Sequence, residues 1–165
     1  MSTAVASPQP TMPATAPRIH LTRFLRAPRE RVFAAWTKPE QLTQWMGPAG
    51  FTCTRAESDP RPGGRHHVTM HGPSSNCSPD EPAVSRDTSS SGEYLEVNPP
   101  ELIRFTWNPS FFPEEHTIVT IRLKEVPGGT ELELVHEGFL STAAAEGHNR
   151  GWNGCLDKLA AFIER

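Results

Sequence analysis

The chain has 165 residues, with 16 basic against 19 acidic side chains and a formal net charge of −3. Both signs are scattered, so no basic stripe marks a nucleic-acid surface and no acidic run marks a charged partner. No stretch reaches the roughly 18 apolar residues a membrane span requires, and one domain with a short extension is the expected organisation at this length.

Residues 1–17 are rich in Pro, Ala, Ser and Thr and poor in large apolar side chains, which predicts a disordered tail ahead of one domain over 18–165. The tail has neither a basic start nor an apolar h-region, so it does not read as a secretory leader. Residues 18–25, with Ile19, Leu21 and Phe24, read as a first strand. After Pro28, Val32, Phe33 and Trp36 fall at helical spacing, and Leu42 and Trp45 follow Pro39. Proline cannot continue a helix but suits a first turn, so Pro39 ends one short helix and opens another.

Sheet follows. Strands are expected over 51–57 and 65–71, joined by the turn Asp59-Pro60-Arg61-Pro62-Gly63-Gly64. Residues 73–91 hold many serines and several prolines without a usable period, and read as a flexible loop insertion. Strands over 92–97 and 101–107 flank Asn98-Pro99-Pro100, and strands over 116–124 and 130–136 flank Val126-Pro127-Gly128-Gly129. In the last pair Val119, Ile121, Leu123, Leu132, Leu134 and His136 share one face while charged residues take the other, so one face is covered and one meets water.

The C-terminal segment is a long helix with Ser141 as N-cap and an apolar stripe of Trp152, Leu156, Leu159 and Ile163, with Cys155 and Phe162 beside it. The one-sided sheet is the large partner available to that stripe, giving an α+β fold. Gly147, Gly151 and Gly154 fall in its first half. Each costs a helix interior about 1 kcal/mol against alanine. Either the helix begins only near His148, or the missing side chains leave room beside Trp152 for a ligand or a closely packed strand.

Several local motifs then line up in order: Trp45-Met46-Gly47-Pro48, the turn at 59–64, Gly92-Glu93-Tyr94, Asn98-Pro99-Pro100-Glu101, Gly129-Thr130-Glu131-Leu132, His136-Glu137-Gly138-Phe139 and Gly151-Trp152. With them the chain, from about Ile19 onward, resembles the activator of heat-shock protein 90 ATPase homolog 1-like family of the START-like (SRPBCC) superfamily. The resemblance implies a helix-grip (Bet v 1-like) fold, in which a curved antiparallel sheet of six or seven strands wraps around the long helix. It also implies a cavity between sheet and helix of the kind relatives use for lipids, hormones and polyketides. The eukaryotic activators use the domain to contact a chaperone. Arg65-His66-His67, where relatives carry an aromatic or aliphatic residue, and the long polar loop at 73–91 depart from the family pattern.

Candidate chemistry is sparse. His67 and His71 share one strand face and His66 takes the other, short of the three or four converging ligands zinc needs, so no metal is assigned. Cys53, Cys77 and Cys155 match no metal spacing and read as reduced thiols, consistent with a cytoplasmic protein. His136 and Glu137, as strand neighbours, point to opposite faces and do not make an acid–base pair. There is no nucleophile elbow, no Cys–His pattern and no phosphate loop, so no catalytic residue and no cofactor is assigned. Aromatics dominate instead. The expected cavity lining is Trp36, Trp45, His66, Val68, Met70, Phe105, Trp107, Val119, Leu134, His136, Trp152 and Leu156. Phe111-Phe112-Pro113 reads as a loop suited to a lid or a contact patch. The expected partner is a small apolar molecule. A chaperone contact and an enzyme using His66 or His136 are the alternatives, and monomer and homodimer are both compatible with the sequence.

Overall fold

A computed structural model describes residues 17–73, 85–110 and 116–164. The elements run β1 (Ile19–Leu25), α1 (Arg29–Thr37), α2 (Pro39–Trp45), β2 (Thr52–Ser58), β3 (Arg65–Pro73), β4 (Ser85–Asn98), β5 (Leu102–Pro109), β6 (Thr117–Val126), β7 (Gly129–Glu137) and α3 (Thr142–Ile163). The seven strands form one antiparallel sheet in the order β1-β7-β6-β5-β4-β3-β2. The first strand therefore joins the far side of the C-terminal hairpin, and β2 forms the other edge. The sheet curls as a half-barrel around α3, so the α+β helix-grip architecture expected from the sequence is the one observed.

Local chemistry explains the boundaries. Lys38, ahead of Pro39, is extended (φ −90°, ψ 124°), as a residue before proline prefers, and separates α1 from α2. Side chains of β5 alternate regularly between buried and half-buried, the period of a strand with one covered face. Helix α3 begins where the sequence places it, with the Ser141 hydroxyl accepting from the Ala144 amide at 3.1 Å. Its other end is held by Arg31 of α1, whose Nε donates to the Ile163 carbonyl at 3.1 Å. A cation on the last carbonyls also suits the negative end of the helix dipole. Trp152, Cys155, Leu156, Leu159 and Ile163 are buried. Each fully buried Leu on that stripe contributes about 1.5–3 kcal/mol.

One expectation changes. The serine-rich stretch is strand from Ser85 onward, with Ser85 opposite Pro73 and Ser91 opposite His67. Serines make poor strand formers on propensity alone, but the ladder offered by β3 overrides it, and Ser90 is 1% exposed on the inner face. The remaining segment at 74–84, the tail at 1–16 and Phe111-Phe112-Pro113 lie outside the described residues. Of the two readings of α3, the helix includes all three glycines rather than starting near His148. A Cβ on Gly154 would stand 2.6 Å from the Ala49 amide nitrogen, whereas one on Gly147 would meet nothing. Gly154 thus lets the helix touch the backbone after α2. Lys158, one turn on, ties the same segment by donating to the carbonyls of Gly47 and Phe51 at 3.1 and 2.7 Å.

Candidate functional site

The twelve residues expected to line a cavity all point inward and all are buried, none more than 7% exposed. They pack on one another as an aromatic cluster between α3 and the sheet. Trp36 of α1 meets Trp45 of α2 edge-on at 4.7 Å between centroids, and Trp152 of α3 at 6.0 Å. Trp152 in turn meets Trp107 of β5 at 5.2 Å. The His66 ring lies nearly parallel to Trp107, 6.1 Å away, and edge-on to Phe105 at 4.9 Å. Gly92 makes this possible, because a Cβ there would reach within 2.7 Å of His66 Nε2 and 1.9 Å of the Thr106 carbonyl. Val68, Met70, Val119, Leu134 and Leu156 fill the aliphatic part of the same core.

The polar atoms within this cluster divide into satisfied and orphaned. Trp152 Nε1–H donates to His136 Nδ1 at 2.9 Å, so Nδ1 is the bare nitrogen and the proton sits on Nε2. Nε2–H then donates to the Thr117 hydroxyl at 2.7 Å, and that hydroxyl donates to the Trp107 carbonyl. Trp45 Nε1–H donates to the Ala35 carbonyl at 2.9 Å. The other two indoles differ. Trp36 Nε1 and Trp107 Nε1 are buried with no hydrogen-bond partner among the described residues, and so is Ser90 Oγ.

Burial keeps both inner histidines neutral. His136 is pushed down to about 2 by desolvation first and by the neighbouring His148 second. His66 is pushed down to about 4 by desolvation, partly opposed by the bond its Nε2–H donates to the Thr106 carbonyl at 2.7 Å. Neither is arranged as a general base. His136 has both nitrogens engaged, and Glu137 follows it on the opposite face of β7. His67 bonds Thr69 at 3.0 Å and His71 bonds Asp87 at 2.7 Å. No three His, Cys, Asp or Glu side chains among the described residues converge on a point that could hold a metal ion.

The expected lining left out four members of the cluster. Thr117 lies two residues before Val119, on the inner face by strand period, and His148 lies four before Trp152, on its side of the helix. Both were legible from spacing. Ser90 was hidden in the apparent loop, and Phe139, 4.4 Å from the His136 ring, follows the end of β7 where no period applies. A concavity away from this cluster is lined by Arg29, Asn98, Glu101, Arg122 and their neighbours. Its charges pair among themselves, Arg29 reaching Glu101 at 3.4 Å and Glu125 at 3.8 Å.

A half-barrel gripping one helix over an aromatic interior defines the START-like class. Residues 26–164 match the family model described as Activator of Hsp90 ATPase homolog 1-like protein, and the chain belongs to that family. Among solved structures, a Chromobacterium violaceum protein is 32% identical with a TM-score of 0.74, the match covering 90% of this chain and 98% of that one. A Rhodobacter sphaeroides protein is 22% identical (TM-score 0.73; 93% and 96% covered) and shares the fold. So does an AHSA1-like protein from Aeromonas hydrophila, 19% identical (TM-score 0.66; 89% and 92% covered). No curated protein is significantly similar in sequence.

Proposed function

We propose that this protein binds a small, mostly apolar molecule between α3 and the sheet. The observation that carries the proposal is the aromatic cluster with its unpartnered polar atoms, since two buried indole N–H groups and a hydroxyl on its walls stand without partners among the described residues. Buried polar groups are nearly always paired, and the exceptions concentrate where function needs them. Sites for small molecules combine aromatic walls with a few such groups. Binding replaces ring–ring contacts of the cluster by ring–ligand contacts, so the cluster opens as the ligand enters. Thermal unfolding with a panel of apolar ligands tests this. A saturating ligand at one hundred times its Kd stabilises by about 2.7 kcal/mol, which raises Tm by several degrees at this chain length. A Tm unmoved by every ligand would contradict the proposal.

The description of the family favours a second reading, a module that contacts a chaperone. Stimulation of the ATPase of a heat-shock protein 90 homologue from the same organism would support it, and unchanged ATPase with no complex would remove it.

A further inference from the structure

The orphaned atoms do more than point to a ligand; they describe its polar end. Trp107 and Ser90 belong to neighbouring strands and face the same side of the sheet, since Ser90 pairs with Pro109, two residues beyond Trp107. Both are buried, at 6% and 1% exposure, and neither Trp107 Nε1 nor Ser90 Oγ has a partner among the described residues. Trp36 Nε1, on the other side of Trp152, is in the same condition. An indole N–H is a donor and nothing else, and a serine hydroxyl can also donate. The matching ligand group is therefore an acceptor.

Its charge follows from what surrounds it. A carboxylate drawn into this interior needs a cation beside it. The amine of Lys158 is committed to the carbonyls of Gly47 and Phe51, and Arg23 to Asp157 and Asn153. His66 and His136 use their Nε2–H bonds on Thr106 and Thr117. An uncharged oxygen fits where an anion does not. The walls are flat rings, Trp107, Trp152 and Trp36, whose separations of 5.2 and 6.0 Å suit aromatic contact.

We infer that the ligand is a planar, uncharged molecule bearing a carbonyl-type oxygen, which accepts from Trp107 Nε1–H and Ser90 Oγ while its ring packs on Trp152. This rests on the proposed function and narrows it. Three probes of similar shape separate the two: acetonaphthone, ethylnaphthalene and naphthoate. Kd is measured for each by titration, following the indole N–H resonances of the four tryptophans. The expected result is that acetonaphthone binds about tenfold tighter than ethylnaphthalene, one hydrogen bond to a buried donor corresponding to about 1.4 kcal/mol, and that naphthoate binds weakest. The Trp107 indole proton moves downfield with the ketone only. Trp107→Phe removes one of the two donors and keeps a ring, so it reduces the preference for ketone over hydrocarbon, and adding Ser90→Ala abolishes it. The wild-type resonance shift keeps the test decisive even if the variant folds poorly. Equal affinity for ketone and hydrocarbon, with no downfield shift, overturns the carbonyl anchor and leaves the binding function standing. Tightest binding of naphthoate overturns the uncharged class. Failure of all three probes to bind overturns both.

Discussion

The indole N–H of Trp152 donates to Nδ1 of His136 at 2.9 Å, joining the middle of α3 to the inner face of β7. That bond fixes the histidine tautomer and starts a relay through Thr117 to the Trp107 backbone. Thr117→Val keeps shape but strands His136 Nε2–H in an apolar interior. The expected cost is about 1–3 kcal/mol, the penalty for an unsatisfied buried donor. Urea denaturation with an unchanged m-value measures it, and a change below half of 1 kcal/mol would show the relay to be incidental.

The two inner histidines make stability depend on pH. Their folded values, about 4 for His66 and about 2 for His136, lie below the ordinary 6.5. As pH falls through 6.5 the unfolded chain takes up two protons that the folded chain refuses, so stability drops with falling pH until the folded groups titrate. Between about pH 6 and 4 each refusing histidine contributes a slope of about 1.4 kcal/mol per pH unit. Chemical denaturation across that window should show the loss. His66→Phe and His136→Leu variants, where they fold, should each flatten it, and an unchanged slope would mean that neither histidine is refused a proton by the fold.

Two glycines of one helix should respond in opposite directions. At Gly147 an added methyl meets open space, so Gly147→Ala should stabilise by up to about 1 kcal/mol through helix propensity and reduced unfolded-state entropy. At Gly154 the same methyl meets the Ala49 amide at 2.6 Å, so the helix must back away from the segment that Lys158 holds. Gly154→Ala should destabilise by about 1–3 kcal/mol despite its better propensity. Thermal denaturation of the two variants side by side checks the pair, and stabilisation by both would mean that the contact at Gly154 is loose.

The cysteines Cys53 and Cys155 should be inert in the folded protein. Both are buried free thiols, and burial pushes Cys155 up to about 12 and raises Cys53. The thiolate is the reactive species, so alkylation at neutral pH should spare both until denaturant is added. Rapid labelling of either in the native state, read by mass spectrometry, would place it in a more open environment than its burial implies.

The outline of the fold was legible because its cues are local: period two in β6 and β7, period three to four in α3, proline at the α1–α2 junction, Ser141 at the helix start. The N-terminal half of β4 was not, because Ser85–Ser91 has no apolar alternation and becomes strand only through the ladder with β3. The aromatic cluster proposed as a site was legible as a set of residues on inward faces. Which of them would be left with an open hydrogen bond was not, since that depends on whether a carbonyl such as that of Ala35 lies within reach of Trp45 but, among the described residues, none within reach of Trp36. Side-chain satisfaction is a tertiary property, and sequence spacing carries little of it.

The space between α3 and the sheet is the proposed binding site. Intermolecular nuclear Overhauser effects from bound acetonaphthone test it most directly. Contacts are expected from the probe's ring protons to Trp107 and Trp152. Contacts confined to the cleft at Arg29 and Glu101, or saturating probe with no contact to either tryptophan, would contradict it.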